Sequence, residues 1–206
     1  MGMPTSSRVS KPDGRRVGIF GGTFDPPHNG HVMIAAQSVY SLELDRLHVT
    51  VANDPYSKRD AVGASPADRF ALAVAAFAHL DRVVVDEREL LRGGPSYTID
   101  TVESLLGEDP DAKIVVIVGA DAAAGLPHWQ RADDLARLAE VAVVDRSGDD
   151  RPPIDGFRCV KIDLIRVDVA SSEIRRRVAH HEPIDGLVPP AVVRELRERR
   201  LYTGFR

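Results

Sequence analysis

The chain of 206 residues has a single cysteine, Cys159, so it can form neither an internal disulfide nor a cysteine-rich zinc module. One unpaired thiol suits a reducing cytoplasm, the expected compartment. Long apolar runs are missing too. None approaches the roughly 20 residues of a membrane-spanning helix, so no membrane partner is expected. An excess of positive charge is also absent: 27 Lys and Arg stand against 31 Asp and Glu, a formal net charge of −4. That balance is wrong for a protein that coats a nucleic-acid polymer. Neither the dinucleotide fingerprint G-x-G-x-x-G nor the string G-x-x-x-x-G-K-[ST] follows the first strand.

What is present is ordinary globular composition, 43% hydrophobic and 28% charged. Against roughly 150 residues per domain, the length favours one domain, expected over 15–206 behind a flexible leader at 1–14. The leader is polar and lacks a secretory h-region. Its start, Met1-Gly2-Met3-Pro4-Thr5-Ser6, fits only the loose acylation pattern. The sequence leaves a homo-oligomer open.

Strands and helices alternate. Arg16 to Phe20 reads as a strand running into Gly21-Gly22, and Val32 to Tyr40 as a helix. Leu47, Val49 and Val51 alternate with His48, Thr50 and Ala52 as in a second strand. Ser65-Pro66-Ala67-Asp68 forms a capping box ahead of Phe70, Ala73, Val74, Phe77 and Leu80 at helical spacing. A strand at Val83–Val85 precedes an amphipathic helix through Ile99, Val102, Leu105 and Leu106, expected to stop at Gly107. Ile114 to Val118 is apolar at every position, as a strand covered on both faces should be, and belongs at the centre of a parallel sheet. Strands at Val141–Val144 and Cys159–Leu164 follow, separated by a loop over Ser147–Pro153. Pro189-Pro190 opens a basic terminal helix, whose interspersed Glu195 and Glu198 mark a solvated face. The pattern predicts a doubly wound, Rossmann-like α/β fold with a mostly parallel sheet, helices on both faces and a small C-terminal helical segment. Ligands of such sheets bind beyond the carboxyl ends of the strands.

The first strand leads into Gly21-Gly22-Thr23-Phe24-Asp25-Pro26-Pro27-His28-Asn29-Gly30-His31. Glycines let backbone N–H groups approach a phosphate, and the following helix offers the positive end of its dipole. Gly30 is expected to leave room for the ligand. His28 and His31, three apart, can face one anion. Residue type alone leaves three readings open: a histidine that caps the helix, a metal pair without an evident third ligand, and phosphate binding. Near the other end, Val169-Ala170-Ser171-Ser172-Glu173-Ile174-Arg175 opens a second helix. Ser171 and Ser172 suit either a cap or an anion, and Arg175 carries a fork of donors fitted to phosphate.

The first string resembles the signature of the H-x-G-H nucleotidyltransferase superfamily, and the second resembles that superfamily's serine- and arginine-bearing motif. In the latter, Ala170 replaces the usual first serine and Ser172 the threonine. Arg92-Gly93-Gly94-Pro95-Ser96-Tyr97-Thr98-Ile99-Asp100-Thr101, then Gly119-Ala120-Asp121, then Leu126-Pro127-His128-Trp129, are similar to bacterial nicotinate-nucleotide adenylyltransferase, in order and spacing from about Arg16 to Tyr202. The resemblance implies transfer of AMP from ATP to nicotinate mononucleotide, with Mg²⁺ arriving with ATP and no all-protein metal site. It implies that His28, His31 and Arg175 stabilise the phosphates. Gly21, Gly22, Thr23, Phe24, Gly30, Gly119, Asp121, Ser171 and Ser172 would contact ATP. Thr98 would meet the nicotinate carboxylate and Trp129 would stack on its ring, although a lone tryptophan is more often core and a threonine at a helix start more often a cap. The family's proline-rich run ending in His-Lys is replaced here by Ala52-Asn53-Asp54-Pro55-Tyr56-Ser57-Lys58-Arg59, which makes Lys58 the candidate phosphate lysine and Arg59 the fallback. The alternatives are an adenylyltransferase for nicotinamide mononucleotide or phosphopantetheine, and a nucleotide sensor without catalysis.

Overall fold

The computed structural model describes residues 14–54, 63–145, 154–164 and 167–203. In chain order the elements are β1 (Arg16–Gly22), α1 (Asn29–Ser41), β2 (Arg46–Val51), α2 (Pro66–Phe77), β3 (Val83–Asp86), α3 (Arg88–Arg92), α4 (Thr98–Glu108), β4 (Lys113–Gly119), α5 (Ala120–Ala123), a 3₁₀ turn at Leu126–His128, α6 (Ala132–Leu138), β5 (Ala139–Asp145), β6 (Cys159–Asp163), α7 (Ser171–Ala179) and α8 (Pro190–Glu198). The strands form one sheet in the order β3-β2-β1-β4-β5-β6. Every pairing is parallel.

The chain winds from β1 outward through β2 to β3, then returns to β4 on the other side of β1 and winds away through β5 to β6. The reversal between β1 and β4 is a topological switch point, where connections leave in opposite directions and a crevice opens. Phe20 is in register with Ile117, so Gly22 and Gly119 end their strands side by side at this crevice.

Alternation along the strands feeds two cores. Phe20, Val115, Ile117, Ala142 and Val144 face the layer of α1, α2, α7 and α8. Val17, Ile19, Ile114, Val116, Val118 and Val141 face Ile99, Val102 and Leu105 of α4 and Leu135 of α6. The apolar run 114–118 is therefore buried at all five positions.

Local chemistry explains where the elements depart from expectation. Helix α1 begins at Asn29, ahead of Val32, because His28 serves as its N-cap. Helix α4 does not stop at Gly107: it continues to Glu108, with Asp109 as C-cap. Glycine costs a helix only about 1 kcal/mol relative to alanine, and burial of Leu105 in the last turns outweighs that. The short α3 has no periodicity long enough to announce it. Strand β2 is covered on both faces, since His48 and Thr50 are buried along with the apolar residues. Ser65 caps α2 by accepting the Asp68 N–H at 3.1 Å. The Asp68 carboxylate in turn accepts from Ser65 Oγ at 2.7 Å and from Arg199 at 3.0 Å, which ties the start of α2 to the end of α8. Among the described residues, no helix is long and apolar enough to cross a membrane. Of the leader only Gly14 is described, and the Ser147–Pro153 loop lies wholly outside the described residues.

Candidate active site

The loop after β1 is built around an inward-turned aromatic ring. A Cβ on Gly22 would stand 2.7 Å from the Phe24 ring, so only glycine lets that ring fold back beneath the strand end. Phe24 adopts φ 51°, in the left-handed region, and its ring is 2% exposed. It packs edge-on against Phe20 at 5.6 Å, Phe77 at 5.7 Å and His31 at 5.1 Å between centroids. Phe24 is therefore buried, and its side chain is the seat on which His31 rests.

His28 and His31 stack with ring centroids 3.7 Å apart and planes 25° from parallel. The His28 N–H donates to Nδ1 of His31 at 3.2 Å, half of a capping box at the start of α1. Because that Nδ1 accepts, the proton of a neutral His31 sits on Nε2, which makes Nε2–H the donor. The capping reading and the phosphate reading are thus compatible: the cap aims the ring. At Gly30 a Cβ would lie 3.1 Å from the His28 ring, so the glycine lets that ring pack close over the helix start.

The second motif folds onto this loop directly. Ser171 Oγ donates to the Pro26 carbonyl at 2.8 Å, and Arg175 Nη1 donates to the Asp25 carbonyl at 2.7 Å. The N-cap of α7 is Ala170, which has no side-chain acceptor, so Ser171 and Ser172 lie inside the first turn rather than before it. Ser172 is exposed there. On the far side of the switch point, Gly119 caps α5 with open space where a Cβ would be, and Asp121 is exposed in the first turn. Thr98 occupies the first position of α4, with Tyr97 as cap, so it is not the capping residue. Trp129 is half-buried: it packs against the core under α4 and α6 yet keeps part of its surface open, between the two roles weighed for it. Thr23 is also half-buried. Lys58, Arg59 and Tyr56 lie outside the described residues.

Three side chains that tie the site together have no assigned role in the sequence motifs. The first is Asp25, 3% exposed, whose carboxylate accepts from Gly63 N–H at 2.6 Å, Ala64 N–H at 3.0 Å and the Tyr202 hydroxyl at 2.7 Å. The second is Tyr202 itself, and nothing local in the sequence connects it to a residue so distant. The third is Arg69, 1% exposed, which donates to the carbonyls of Thr23 at 2.9 Å, Ala52 at 2.7 Å and Asn53 at 3.1 Å. Burial lowers its pKa, which the Asp25 carboxylate and Tyr202 oppose, and a guanidinium stays charged in any case. A signal for Arg69 did exist: it falls on the same helical stripe as the buried Leu72, Ala73, Ala76 and Phe77, where a charge must find partners. Asn53 extends the clamp by donating from Nδ2 to the Gly94 carbonyl at 3.0 Å and from its N–H to Ser96 Oγ at 2.9 Å, which holds the segment ahead of Thr98 to the end of β2. Among the described residues, no group of three His, Cys, Asp or Glu side chains is placed to hold a metal ion.

A family model described as cytidylyltransferase-like matches residues 19–177. A Synechococcus sp. (strain JA-3-3Ab) protein named "Probable nicotinate-nucleotide adenylyltransferase" is 39% identical over 199 residues, covering 93% of this chain and 96% of its own length. A Shouchella clausii protein of the same name is 37% identical over 188 residues, covering 91% and 97%. Among solved structures, Plasmodium falciparum nicotinic acid mononucleotide adenylyltransferase complexed with NaAD superposes with a TM-score of 0.72 at 16% identity, over 91% of this chain and 97% of that one. At that identity the likeness shows a shared fold.

Proposed function

The chain belongs to the cytidylyltransferase-like family, and on that premise we propose how its own residues carry out the activity its relatives are named for. It is a nucleotidyltransferase that transfers AMP from ATP to nicotinate mononucleotide. A 5′-phosphate oxygen of the mononucleotide forms a bond to the α-phosphorus of ATP, the bond from that phosphorus to the bridging oxygen of the β-phosphate breaks, and deamido-NAD and pyrophosphate result. The attacking phosphate is already ionised at neutral pH, so the reaction requires no general base and no protein nucleophile. What remains for the protein is to align two anions and stabilise the charge that shifts toward the leaving pyrophosphate.

The observation that carries this reading is the imidazole pair at the start of α1, with Arg175 fastened to the same loop. Nε2–H of His31, His28 and the Arg175 guanidinium supply donors from one side, and the start of α1 adds the positive end of its dipole. Gly21, Gly22 and Thr23 bring backbone toward the phosphates, and Ser171 and Ser172 bring the first turn of α7. Gly119 and Asp121, across the switch point, take the adenosine end. Thr98 and Trp129 take the carboxylate and ring of nicotinate, and Lys58 reaches the phosphates. Enzymes of this class use a divalent cation with ATP. We assign Mg²⁺ as that cation; arriving with ATP, it would neutralise phosphate charge.

The test is pyrophosphate release from ATP with nicotinate mononucleotide, nicotinamide mononucleotide or phosphopantetheine as acceptor. The expected result is a clear preference for the acid mononucleotide. Preference for the amide or for phosphopantetheine would reassign the acceptor, and no release with any of them would point to a sensor.

A further inference from the structure

The contacts of Asp25 are unevenly shared. Oδ1 receives the Tyr202 hydroxyl at 2.7 Å and the Ala64 N–H at 3.0 Å, while Oδ2 receives the Gly63 N–H at 2.6 Å. Arg175 Nη1 stands farther off, 3.4 Å from Oδ2, and makes its short bond of 2.7 Å to the main-chain carbonyl instead. Three neutral donors thus take up the carboxylate before the guanidinium reaches it. A fifth of the Arg175 side chain stays exposed, whereas the Asp25 side chain is sealed at 3%. Gly63 is pinched between the two partners: a Cβ there would be 3.1 Å from the Tyr202 ring and 3.2 Å from Arg175 Cδ.

We propose that Tyr202 is a positioning residue for the transfer reaction: by occupying Asp25 it keeps Arg175 from collapsing into a closed ion pair and leaves the guanidinium turned toward the nucleotide phosphates. The inference rests on the phosphate role given to Arg175 above. Its physical basis is competition. An anion divides its attraction among its donors, and removing a buried neutral one strengthens the pull on the nearest cation. Burial, together with the adjoining Asp25 carboxylate, pushes the Tyr202 hydroxyl far above its usual range, so it remains a donor at any working pH.

The experiment is a double-mutant cycle on Tyr202→Phe and Arg175→Ala, read by steady-state kinetics and by calorimetric binding of α,β-methylene-ATP. Tyr202→Phe is expected to raise the KM for ATP by about tenfold, the size of one charge-assisted hydrogen bond, with the KM for nicotinate mononucleotide within about twofold. In the Arg175→Ala background the same change is expected to weaken analogue binding by less than about twofold, because its target is gone. An equal loss in both backgrounds, unchanged ATP parameters, or parallel rises in both KM values would overturn the inference while leaving the Arg175 assignment in place. Full turnover by Arg175→Ala alone would overturn that assignment first. Gly63→Ala gives a second approach that keeps the hydroxyl: its methyl displaces Arg175 and Tyr202 together, so the same ATP-selective rise is expected, and an unchanged KM for ATP would count against the inference.

Discussion

The His28 N–H donates to Nδ1 of His31 while the two rings lie face to face, 3.7 Å apart. One contact therefore does two jobs. It satisfies a backbone donor at the start of α1, and it fixes which ring nitrogen of His31 carries its proton.

Replacing His31 separates those jobs. His31→Ala is expected to lower turnover by roughly 100- to 1,000-fold, the usual loss for one preorganised donor, and to cost about 1 kcal/mol in stability through the lost cap. His31→Gln restores the capping box, as glutamine commonly does at this position. It should therefore recover the stability and not the turnover, measured by urea unfolding alongside pyrophosphate release. Wild-type turnover in His31→Ala would refute the phosphate role.

Arg175 stands at the end of a short chain of contacts from the β1 loop to α7. Arg175→Ala should reduce kcat/KM for ATP at least ~100-fold. A loss smaller than about tenfold would mean that the second motif only fastens α7 to the loop.

Arg69→Met tests the buried clamp. The carbonyls of Thr23, Ala52 and Asn53, on half-buried residues, would lose the donor they share, a guanidinium that is itself buried. A destabilisation of about 1–2 kcal/mol is expected, because hydrogen bonds from a charged donor are lost. Activity should fall as well, since the loop after β1 and the end of β2 would no longer be held together. The urea midpoint and the KM values check both.

The dependence of stability on acid should run through Asp86. Burial opposes its ionisation, but hydrogen bonds from His48 at 2.7 Å and from the Arg88 backbone and side chain prevail, and the carboxyl is held at about 2. A folded pKa below the unfolded one stabilises the fold above the unfolded value of 3.8, and that contribution is lost as pH falls toward about 2. It amounts to about 2 kcal/mol. Asp86→Asn should therefore be less stable by about that much at pH 7 and close to wild type at pH 2, by denaturant titration at the two pH values.

Much of this was legible in one dimension. Periodicity marked the strands and most helices because burial on a sheet or a helix stripe repeats every 2 or 3.6 residues. The run 114–118 announced a central strand because both of its faces must be apolar. The H-x-G-H string marked the candidate site because its two histidines are near in sequence and stack in space. The surroundings of Gly30 were not legible, because the ring that comes within 3.1 Å of its missing Cβ is that of His28, and where that ring points is set by packing.

The order of apolar residues, the glycine-led loop and the strings at 21–31 and 169–175 are properties of the chain alone; with the family resemblance those strings carry, they sufficed for the fold class and the reaction. Tertiary structure alone decided that Asp25, Arg69 and Tyr202 meet behind that loop. Residue 202 reaches residue 25 only after α8 has packed on α2, and no local rule relates a hydroxyl to a carboxylate 177 positions away. Local propensity acts over a few residues, whereas the desolvated hydrogen bonds that aim Arg175 exist only once the core has closed around them.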